Sequence, residues 1–424
     1  MRISRRSFVG AISALGRWLW PGSAAAASTQ GSLLDRLKAG WTMPPRSCRP
    51  HTRWWWPGNA VTAEGIRWQL DQMYRQGMGG VEIMSCWRWY EKGLIPYLSR
   101  EWKQMVRHAI REAARRDMEV ALTFGPGWSF GGFWVPPEDR SKVLACAWVD
   151  VQGPARFADR LPQYQPTAKQ KSEATAGELD WLPADHNRVI AVVAAQRAGD
   201  RLDGKTLRDL SHLTDGDRLQ WDVPEGSWRI MAFRLLYTGQ QNQAQNYLPR
   251  NWVVDHLNKG AMQRYCDYLI QEFVDAFGEE LGKTVDSFFC DSFEIHPLPN
   301  TLLWSTDTLD LFRRYKGYEL TPYLPAIWFD IGELTPRVRY DVNEFLHWLG
   351  LETAFRTFIE TAAARGVEAR IQPHYRFTEE IIQGAGMTPR PETEVTTARF
   401  ATIADPRKAT AAGAHFYGRP IVSA

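Results

Sequence analysis

The stretch VTAEGIRWQLDQMYRQGMGGVEIMS, residues 61–85, places a predicted helix directly before a predicted strand. Thr62 is a typical N-cap residue, so we expect the helix to begin after it and to run to Gln76, where Gly77 ends it. Residues 81–85 are a short apolar run of strand length. Strands and helices joined by short connections are typical of a parallel α/β sheet or barrel, and this unit predicts that fold class.

The same alternation continues on both sides of this unit. Further strands are predicted at 53–59, 119–124, 285–291 and 368–373, and further helices at 100–116 (after Ser99 as N-cap), 257–277, 307–316 and 343–365. This succession predicts a (β/α)8 barrel of the TIM type. A last apolar stretch, 409–414, is matched with the strand that precedes His374, and the chain stops at 420–424 on a strand-like run. Since a complete barrel needs eight units, we expect an incomplete barrel and a C-terminally truncated reading frame.

The pattern changes between residues 141 and 245. Short alternating runs at 188–196 and 228–236 are separated by turn residues that include Asp203-Gly204. Such runs are typical of a small all-β module inserted into the barrel. We therefore predict barrel segments at 28–140 and 246–424 on either side of a β-rich module at 141–245.

Composition excludes two classes of partner. The chain has 424 residues, a net charge of +3 and no block rich in Lys and Arg after its N-terminus, so nucleic-acid binding has no electrostatic support. No apolar run approaches the ~20 residues that a membrane span needs. The five cysteines form no CxxC pair and predict neither a zinc site nor a disulfide framework. The 20 Trp either stack on sugar rings or fill cores, and composition alone leaves both interpretations open.

The first 27 residues have the features of an export signal. Paired Arg5 and Arg6 precede a mildly apolar stretch at 10–15, and the small residues 24–26 suit a cleavage site. The arginine pair resembles a twin-arginine (Tat) signal, which is used for cargo that folds before export. We therefore expect a signal peptide at 1–27, a periplasmic or secreted mature chain and no stable membrane insertion after cleavage. The alternative is a basic N-terminal arm.

Two carboxylates follow one of the predicted strands. Residues 285–290 run directly into a segment that carries Asp291 and Glu294. Working residues of a barrel lie at the carboxyl ends of strands, and carboxylates there are costly unless they are paired, solvated or used. Glycoside hydrolysis needs two carboxyl groups astride the scissile bond, so Glu294 and Asp291 are the catalytic candidates. In the alternative interpretation Asp291 caps a following helix and Glu294 lies in solvent.

A second acidic pair is Glu392 and Glu394, which would share one face of an extended segment. That face could bind a hard cation such as Ca²⁺, although acidic residues flanked by proline are common in exposed loops and the spacing alone favours this simpler interpretation. His374 and His415 each end an apolar stretch. Each could contact substrate hydroxyls, but a structural histidine is more usual.

Aromatic residues follow the first and third predicted strands, where a wall that stacks on sugar rings is expected. They are Trp54, Trp55, Trp56 and Trp128. Neighbours on a strand point to opposite faces, so three consecutive Trp cannot all face a core, and at least one is available to a ligand. The sequence contains no GxGxxG, P-loop, HExxH or GxSxG motif. A third class, an esterase or peptidase, would need Ser129 to pair with His374 or His415, and it has little support.

A series of longer motifs runs in order from about residue 44 to the end of the chain. They are Pro44-Pro45 to Arg49-Pro50, Trp54 to Asn59, Val61 to Ile66, Gly77 to Val81, Gly125 to Ser129 with Gly131-Gly132 and Trp134, Asp291 to Glu294, Gly317 to Leu320 with Tyr323 to Pro325, Pro391 to Glu394, and His415 to Ala424. This series resembles the α-L-rhamnosidases of glycoside hydrolase family 106. The similarity is weakest across the β-rich insertion.

The resemblance implies α-L-rhamnosidase activity on rhamnose-containing glycans of plants or bacteria, inversion at the anomeric carbon and a calcium ion near the sugar. It implies that Glu294 is a catalytic carboxylate acting as general base, and that Glu392 and Glu394 lie in the active site with the calcium. The family's second catalytic glutamate directly follows the strand matched by residues 421–424, so the general acid is expected beyond Ala424. The alternative is a truncated barrel that binds carbohydrate without cleaving it.

Overall fold

A computed structural model describes residues 32–42, 44–89, 91–165, 186–242, 251–373, 380–394 and 406–423. The chain divides into two units, residues 1–48 and 49–424. In the first unit the described residues form helix α1 (Leu33–Thr42) and a 3-10 turn, Arg46–Cys48. The predicted signal peptide at 1–27 lies outside the described residues. Across the described ranges, no helix combines the length and the apolar character that a membrane crossing requires.

The second unit contains both strands and helices. The strands are β1 (His51–Pro57), β2 (Gly80–Cys86), β3 (Glu119–Thr123), β4 (Gly131–Gly132), β5 (Lys142–Arg160), β6 (Arg188–Ala198), β7 (Arg201–Leu202), β8 (Arg208–Asp209), β9 (Thr214–Asp215), β10 (Arg218–Tyr237), β11 (Trp252–Val253), β12 (Val285–Cys290), β13 (Thr301–Trp304), β14 (Glu368–Ile371) and β15 (Arg390–Pro391). The helices are α2 (Ala63–Arg75), α3 (Arg100–Ala114), α4 (Lys259–Phe277), α5 (Thr308–Lys316), α6 (Pro325–Trp328), α7 (Leu334–Gly350), α8 (Arg356–Ala363), α9 (Ile381–Met387) and α10 (Pro406–Phe416). A π-helical segment, Leu351–Phe355, joins α7 to α8.

Six strands form a parallel sheet in the order β1-β2-β3-β12-β14-β15. Every neighbouring pair is parallel, and the strands lie side by side in the order of the chain. A parallel bridge between Glu392 and Ser423 continues the sheet beyond β15. The predicted parallel α/β architecture is therefore confirmed. Closure of this sheet into a barrel is not seen among the described residues.

Side-chain caps set the starts of the helices between these strands. Thr62 Oγ1 accepts a hydrogen bond from the Gly65 N–H at 3.1 Å, and Ser99 Oγ accepts one from the Trp102 N–H at 3.1 Å. Both N-caps were predicted, because Ser and Thr satisfy one of the free N–H groups of a first turn. The helix predicted at 343–365 begins earlier, at Leu334.

The two faces of the parallel sheet differ in character. On the outer face Trp54 of β1 donates its indole N–H to Gln69 of α2 at 2.5 Å. Trp102 of α3 likewise donates to Ser85 Oγ of β2 at 3.2 Å. Each large apolar side chain buried in this layer contributes about 1.5–3 kcal/mol to stability. Since side chains alternate along a strand, the residues between these, such as Arg53, point to the opposite, inner face.

A second, antiparallel sheet has the order β13-β5-β10-β6-β7. All of its strands lie between β3 and α4 except β13, which follows β12 and pairs with β5. The long strands β5 and β10 pair along almost their whole length. Side chains such as Leu144, Met231 and Phe233 belong to the same apolar core as the α/β part, whereas Val192 and Ile230 belong to a separate cluster. The predicted strand runs at 188–196 and 228–236 lie within β6 and β10 and are confirmed. The domain boundaries at 141 and 245 stay a prediction.

The C-terminal region differs from the prediction. Residues 409–414, matched with a strand, are the middle of helix α10. This stretch is rich in Ala, the residue with the highest helix propensity, and Pro406 stands at the first helical position, where proline is favoured. Gly413 allows α10 to approach α9 closely, because a Cβ atom there would lie 2.5 Å from the carbonyl oxygen of Ile382.

Candidate active site

The inner face of the parallel sheet is charged, from the interior of β1 and β2 to the carboxyl ends of β12 and β15. Arg53 of β1 lies in register with Glu82 of β2, and Arg370 lies on β14. Asp291 directly follows β12, and Glu392 directly follows β15. We call these five residues the upper ionic cluster. Asp291 and Glu392 lie at the carboxyl ends of their strands, where parallel α/β folds place their working residues.

Arg53 is the centre of this cluster, because its guanidinium contacts three carboxylates. Its Nη1 donates to Asp291 Oδ2 at 3.1 Å and its Nη2 to Glu392 Oε1 at 3.3 Å. Its Nε lies 3.3 Å from Glu82 Oε1. The side chains of these acids are only 4% (Glu82), 7% (Asp291) and 3% (Glu392) exposed. The ring of Phe289 lies 4.6 Å from the guanidinium carbon and supports it by a cation–π contact.

Arg370 contacts two of the same acids. Its Nη2 lies 3.0 Å from Glu82 Oε2 and also donates to Glu392 Oε2. Glu392 further accepts hydrogen bonds from Gln372 Nε2 at 3.1 Å and from Ser423 Oγ at 2.9 Å. Both oxygens of Glu392 are therefore held by donors of the chain itself.

Burial and the surrounding charges shift the pKa values of the three acids differently. Burial raises the pKa of Glu82 to about 7, against the lowering effect of Arg370. Burial also raises the pKa of Asp291, with Arg53 opposing it. For Glu392 burial acts in the same direction, but Arg370 and Arg53 together outweigh it and hold its pKa below the usual value. Glu82 is thus the acid of the cluster that takes up a proton near neutral pH.

Glu294 lies half-buried in the loop that follows β12. Its Oε1 accepts a hydrogen bond from Ser292 Oγ at 3.3 Å, while Asp291 Oδ1 accepts one from the Ser292 N–H at 2.7 Å. Gln240 fixes the backbone of this loop at Glu294 and His296. Its Nε2 donates to the Glu294 carbonyl at 2.7 Å, and its Oε1 accepts from the His296 N–H at 2.8 Å. No helix begins in this loop, which the structure describes in full, so the alternative in which Asp291 caps a helix is wrong.

Four indole rings form an aromatic wall at the carboxyl ends of the first three strands. Trp55 lies two residues after Arg53 on the inner face of β1 and is 37% exposed. Its ring centre is 5.2 Å from that of Trp87 and 6.4 Å from that of Trp89. Trp87 stacks parallel to Trp89 at 6.1 Å and meets Trp128 edge to face at 5.4 Å. Such a surface suits the apolar face of a sugar ring.

Two members of this wall were predicted and two were missed. Trp55 and Trp128 were among the candidates, whereas Trp87 and Trp89 were not. The signal for the missed pair was available in the sequence, because both residues come within four residues of the end of the predicted strand at 81–85, as Trp128 comes shortly after the strand predicted at 119–124.

Trp54 faces away from the aromatic wall. It is 5% exposed, and its ring meets that of Trp56 edge to face at 5.3 Å in the helix-facing core. The predicted sugar contact through Trp54 has no support from this position. The expectation that three consecutive Trp divide between two faces of the strand is confirmed, with only Trp55 on the inner face.

The described acids do not fit the calcium site that was expected at Glu392 and Glu394. A calcium ion needs six to eight oxygen ligands, and the oxygens of Glu392 are already engaged by two guanidinium groups and two neutral donors. Glu394 is half-buried, and its charge raises the pKa of Asp291. Among the residues that the structure describes, no group of three or more His, Cys, Asp or Glu has the arrangement of a metal site.

Only one of the two candidate histidines, His415, lies in the part of the chain that the structure describes. His374 lies outside the described residues. His415 is exposed in the last turn of α10, and not at the end of a strand as predicted. Ser129 is 1% exposed, and its hydroxyl makes no hydrogen bond to any described residue. The structure therefore offers no nucleophile–histidine pair within the described ranges to support an esterase or peptidase.

Comparisons with known proteins agree with the sequence motifs. The model of glycoside hydrolase family 106, described as alpha-L-rhamnosidase, matches residues 42–183 and 184–424. A protein of Formosa agariphila named "Putative beta-glucuronidase" is 24% identical over 362 residues, which are 81% of this chain and 31% of that protein. The solved structure of a rhamnosidase from Novosphingobium sp. PP1Y aligns with a TM-score of 0.71 and 20% identity, covering 93% of this chain and 53% of that one. The chain thus spans about half the length of the rhamnosidase and about a third of the Formosa protein.

Proposed function

The chain belongs to glycoside hydrolase family 106, the alpha-L-rhamnosidase family, and from this premise we propose that it cleaves terminal α-L-rhamnosyl residues from polysaccharides or glycosides. The observation that carries the proposal is the fixed loop with Asp291 and Glu294 at the carboxyl end of β12, on the sheet that also carries the aromatic wall. Glycoside hydrolysis requires a pair of carboxyl groups, and an aromatic surface suits the binding of a sugar ring.

For the fold we propose a (β/α)8 barrel. Its support is the order of the strands, because all six are parallel and adjacent in chain order, as in a barrel and unlike a doubly wound sheet, in which the order reverses. The bridge from Glu392 to Ser423 continues the same order. In this arrangement the upper ionic cluster lies in the interior and the aromatic wall at the mouth.

In the proposed mechanism Glu294 acts as general base and activates a water molecule on one face of the rhamnosyl ring. A second carboxylic acid protonates the leaving oxygen from the other face, with inversion at the anomeric carbon. Asp291 and Glu392 are held by Arg53 and act as positioning residues. Arg370 and Arg53 hold the pKa of Glu392 below its usual value, so Glu392 is not suited to donate the proton, whereas burial raises the pKa of Asp291.

The arginines of the upper ionic cluster do not favour a uronic acid as substrate. The name of the Formosa protein raises a glucuronide as an alternative substrate. A uronate carboxylate needs an available cation, but Arg53 and Arg370 are each shared between two or three acids of the chain. We therefore propose rhamnose-containing glycans as substrates. The bound calcium ion stays a prediction, and no step of the proposed mechanism depends on it. The periplasmic or secreted location also stays a prediction.

The test is release of nitrophenol from an aryl α-L-rhamnoside by the full chain, with calcium and with a chelator, and with an aryl β-D-glucuronide in parallel. We expect turnover of the rhamnoside alone and a loss of about 10²–10⁴-fold in kcat for Glu294→Gln, as for removal of a general base. Glu319→Gln is the matched control, since its side chain is 63% exposed. Full turnover by Glu294→Gln would contradict the assignment of Glu294 as the general base. Rhamnoside binding without turnover by the wild type would favour the carbohydrate-binding alternative.

A further inference from the structure

Two successive strand–helix loops enclose a groove at the rim of the inner face. One wall is formed by residues 60–62 between β1 and α2, and the other by Trp89 and residues 91–93 between β2 and α3. The groove has a volume of about 660 Å³. We call it the rim groove. It adjoins the aromatic wall, because Trp89 belongs to both.

The walls of the rim groove are tied together beneath its floor. Asn59 is fully buried, and its Nδ2 donates to the Ile95 carbonyl at 3.0 Å. The Ile95 N–H in turn donates to the Gly58 carbonyl at 3.1 Å. These bonds hold the two loops at a fixed separation. A preformed groove of this kind loses little conformational entropy when a ligand enters.

The lining of the groove suits an uncharged, polyhydroxylated ligand. Trp89 is 60% exposed, so it keeps accessible indole surface although it stacks on Trp87. Glu91 and Lys92 offer an acceptor and donors of hydrogen bonds beside it. The carboxylate of Glu91 lies 3.9 Å from Arg88, so these two charges balance each other and Lys92 adds one positive charge. An apolar ring face next to a few polar groups is the usual composition of a small-molecule site.

We propose that the rim groove is a second sugar-binding subsite, which holds the sugar on the leaving-group side of the rhamnose. The inference rests on the proposed function. A glycan whose terminal ring lies against Trp55 and Trp87 continues across Trp89 into the groove. It follows that the substrate class is an oligosaccharide or polysaccharide with at least two sugar units, in preference to a small aryl glycoside.

The experiment compares kcat/KM for rhamnosyl-glucose disaccharides of each linkage with kcat/KM for an aryl α-L-rhamnoside. Trp89→Ala is expected to lower the value for a disaccharide about tenfold more than the value for the aryl rhamnoside, the effect of losing one contact of about 1.4 kcal/mol. Trp89→Phe keeps an aromatic face and should recover part of the loss. Trp68→Ala is the matched control, because Trp68 is 63% exposed on α2 and lines neither the wall nor the groove.

A second readout separates this proposal from the rhamnosidase proposal. Calorimetry measures binding of the same disaccharides and of free L-rhamnose to the wild type and to Trp89→Ala. Tighter binding of a disaccharide than of L-rhamnose, lost in Trp89→Ala, supports the subsite even if the wild type turns over neither substrate and the proposed function fails. Equal losses for both ligands, or wild-type binding that does not distinguish them, overturn the subsite.

Discussion

The parallel sheet carries two ionic clusters, one that reaches the carboxyl ends of β12 and β15 and one at the amino ends of β12, β14 and β15, and they differ in burial. In the upper ionic cluster the acids are 3–7% exposed and share two arginines. At the opposite end, Arg390 Nη1 lies 2.8 Å from Asp286 Oδ2, and its Nη2 lies 2.7 Å from Glu368 Oε2. The acids of this lower ionic cluster are 14% (Asp286) and 38% (Glu368) exposed.

This difference in burial distinguishes an ionic cluster that only holds strands together from one that belongs to a functional site. The lower ionic cluster joins the amino ends of β12, β14 and β15 through one arginine and two partly hydrated acids. The upper ionic cluster brings three acids out of water beside the aromatic wall, which is costly unless each is paired. Strongly perturbed acids in such a position are typical of functional sites, whereas the amino-terminal ends of barrel strands usually serve stability.

The largest expected effect is that of Arg53→Met. This change leaves Asp291 and Glu392 buried without the guanidinium between them, and breaking a buried ion pair on one side costs about 3–5 kcal/mol. Urea unfolding at pH 7 measures the loss, with Arg390→Met as the same substitution in the lower ionic cluster. If both variants lost equal stability, burial would not be what distinguishes the two clusters.

Glu82→Gln tests the upper ionic cluster through pH. The pKa of Glu82 is about 7 in the folded state and near 4.5 when unperturbed. Between these values Glu82 holds more of its proton in the folded state than in the unfolded state, so its contribution to the free energy of unfolding decreases as the pH rises from about 4.5 to about 7. The variant cannot ionise at this position. Its stability relative to the wild type should therefore rise, on the order of 3 kcal/mol, between pH 4.5 and pH 8.

Unfolding by urea at several pH values gives this difference directly. A stability difference that is constant across that range would mean that Glu82 ionises as easily in the fold as in water. Burial of three acids beside only two arginines would then not be what raises the pKa of Glu82.

Arg390→Met is expected to cost less, about 1 kcal/mol. After the change Glu368 and Asp286 can both be hydrated, because neither is deeply buried, and partly exposed ion pairs contribute little. Urea midpoints of this variant and of Arg115→Met, whose side chain is 71% exposed, provide the measurement and its surface control. A loss of stability above about 3 kcal/mol in Arg390→Met would mean that the lower ionic cluster behaves as a buried ion pair, like the upper one.

Local features of this comparison were predictable from sequence, and the long-range pairing was not. Thr62 and Ser99 start their helices as predicted, because capping depends on neighbours three residues away. Asp291 and Glu294 were identified because they directly follow a strand. Arg53 was not identified, since its partners Asp291 and Glu392 lie 238 and 339 residues away in the chain. Alternation predicted that the Trp triplet divides between two faces, but not which face holds the helices.

The smallest effect is expected for Ser423, whose neutral hydroxyl contacts the upper ionic cluster. Ser423 Oγ donates to Glu392 Oε2 at 2.9 Å, beside Arg370. Ser423→Ala removes one of several donors to an acid that keeps both arginines, so we expect a loss of about 1 kcal/mol or less in urea unfolding. Ser287→Ala is the counterpart in the lower ionic cluster, where Ser287 Oγ donates to Asp286 Oδ1 at 3.1 Å. A loss in Ser423→Ala as large as that in Arg53→Met would mean that hydrogen bonding, and not charge pairing, holds Glu392 in place.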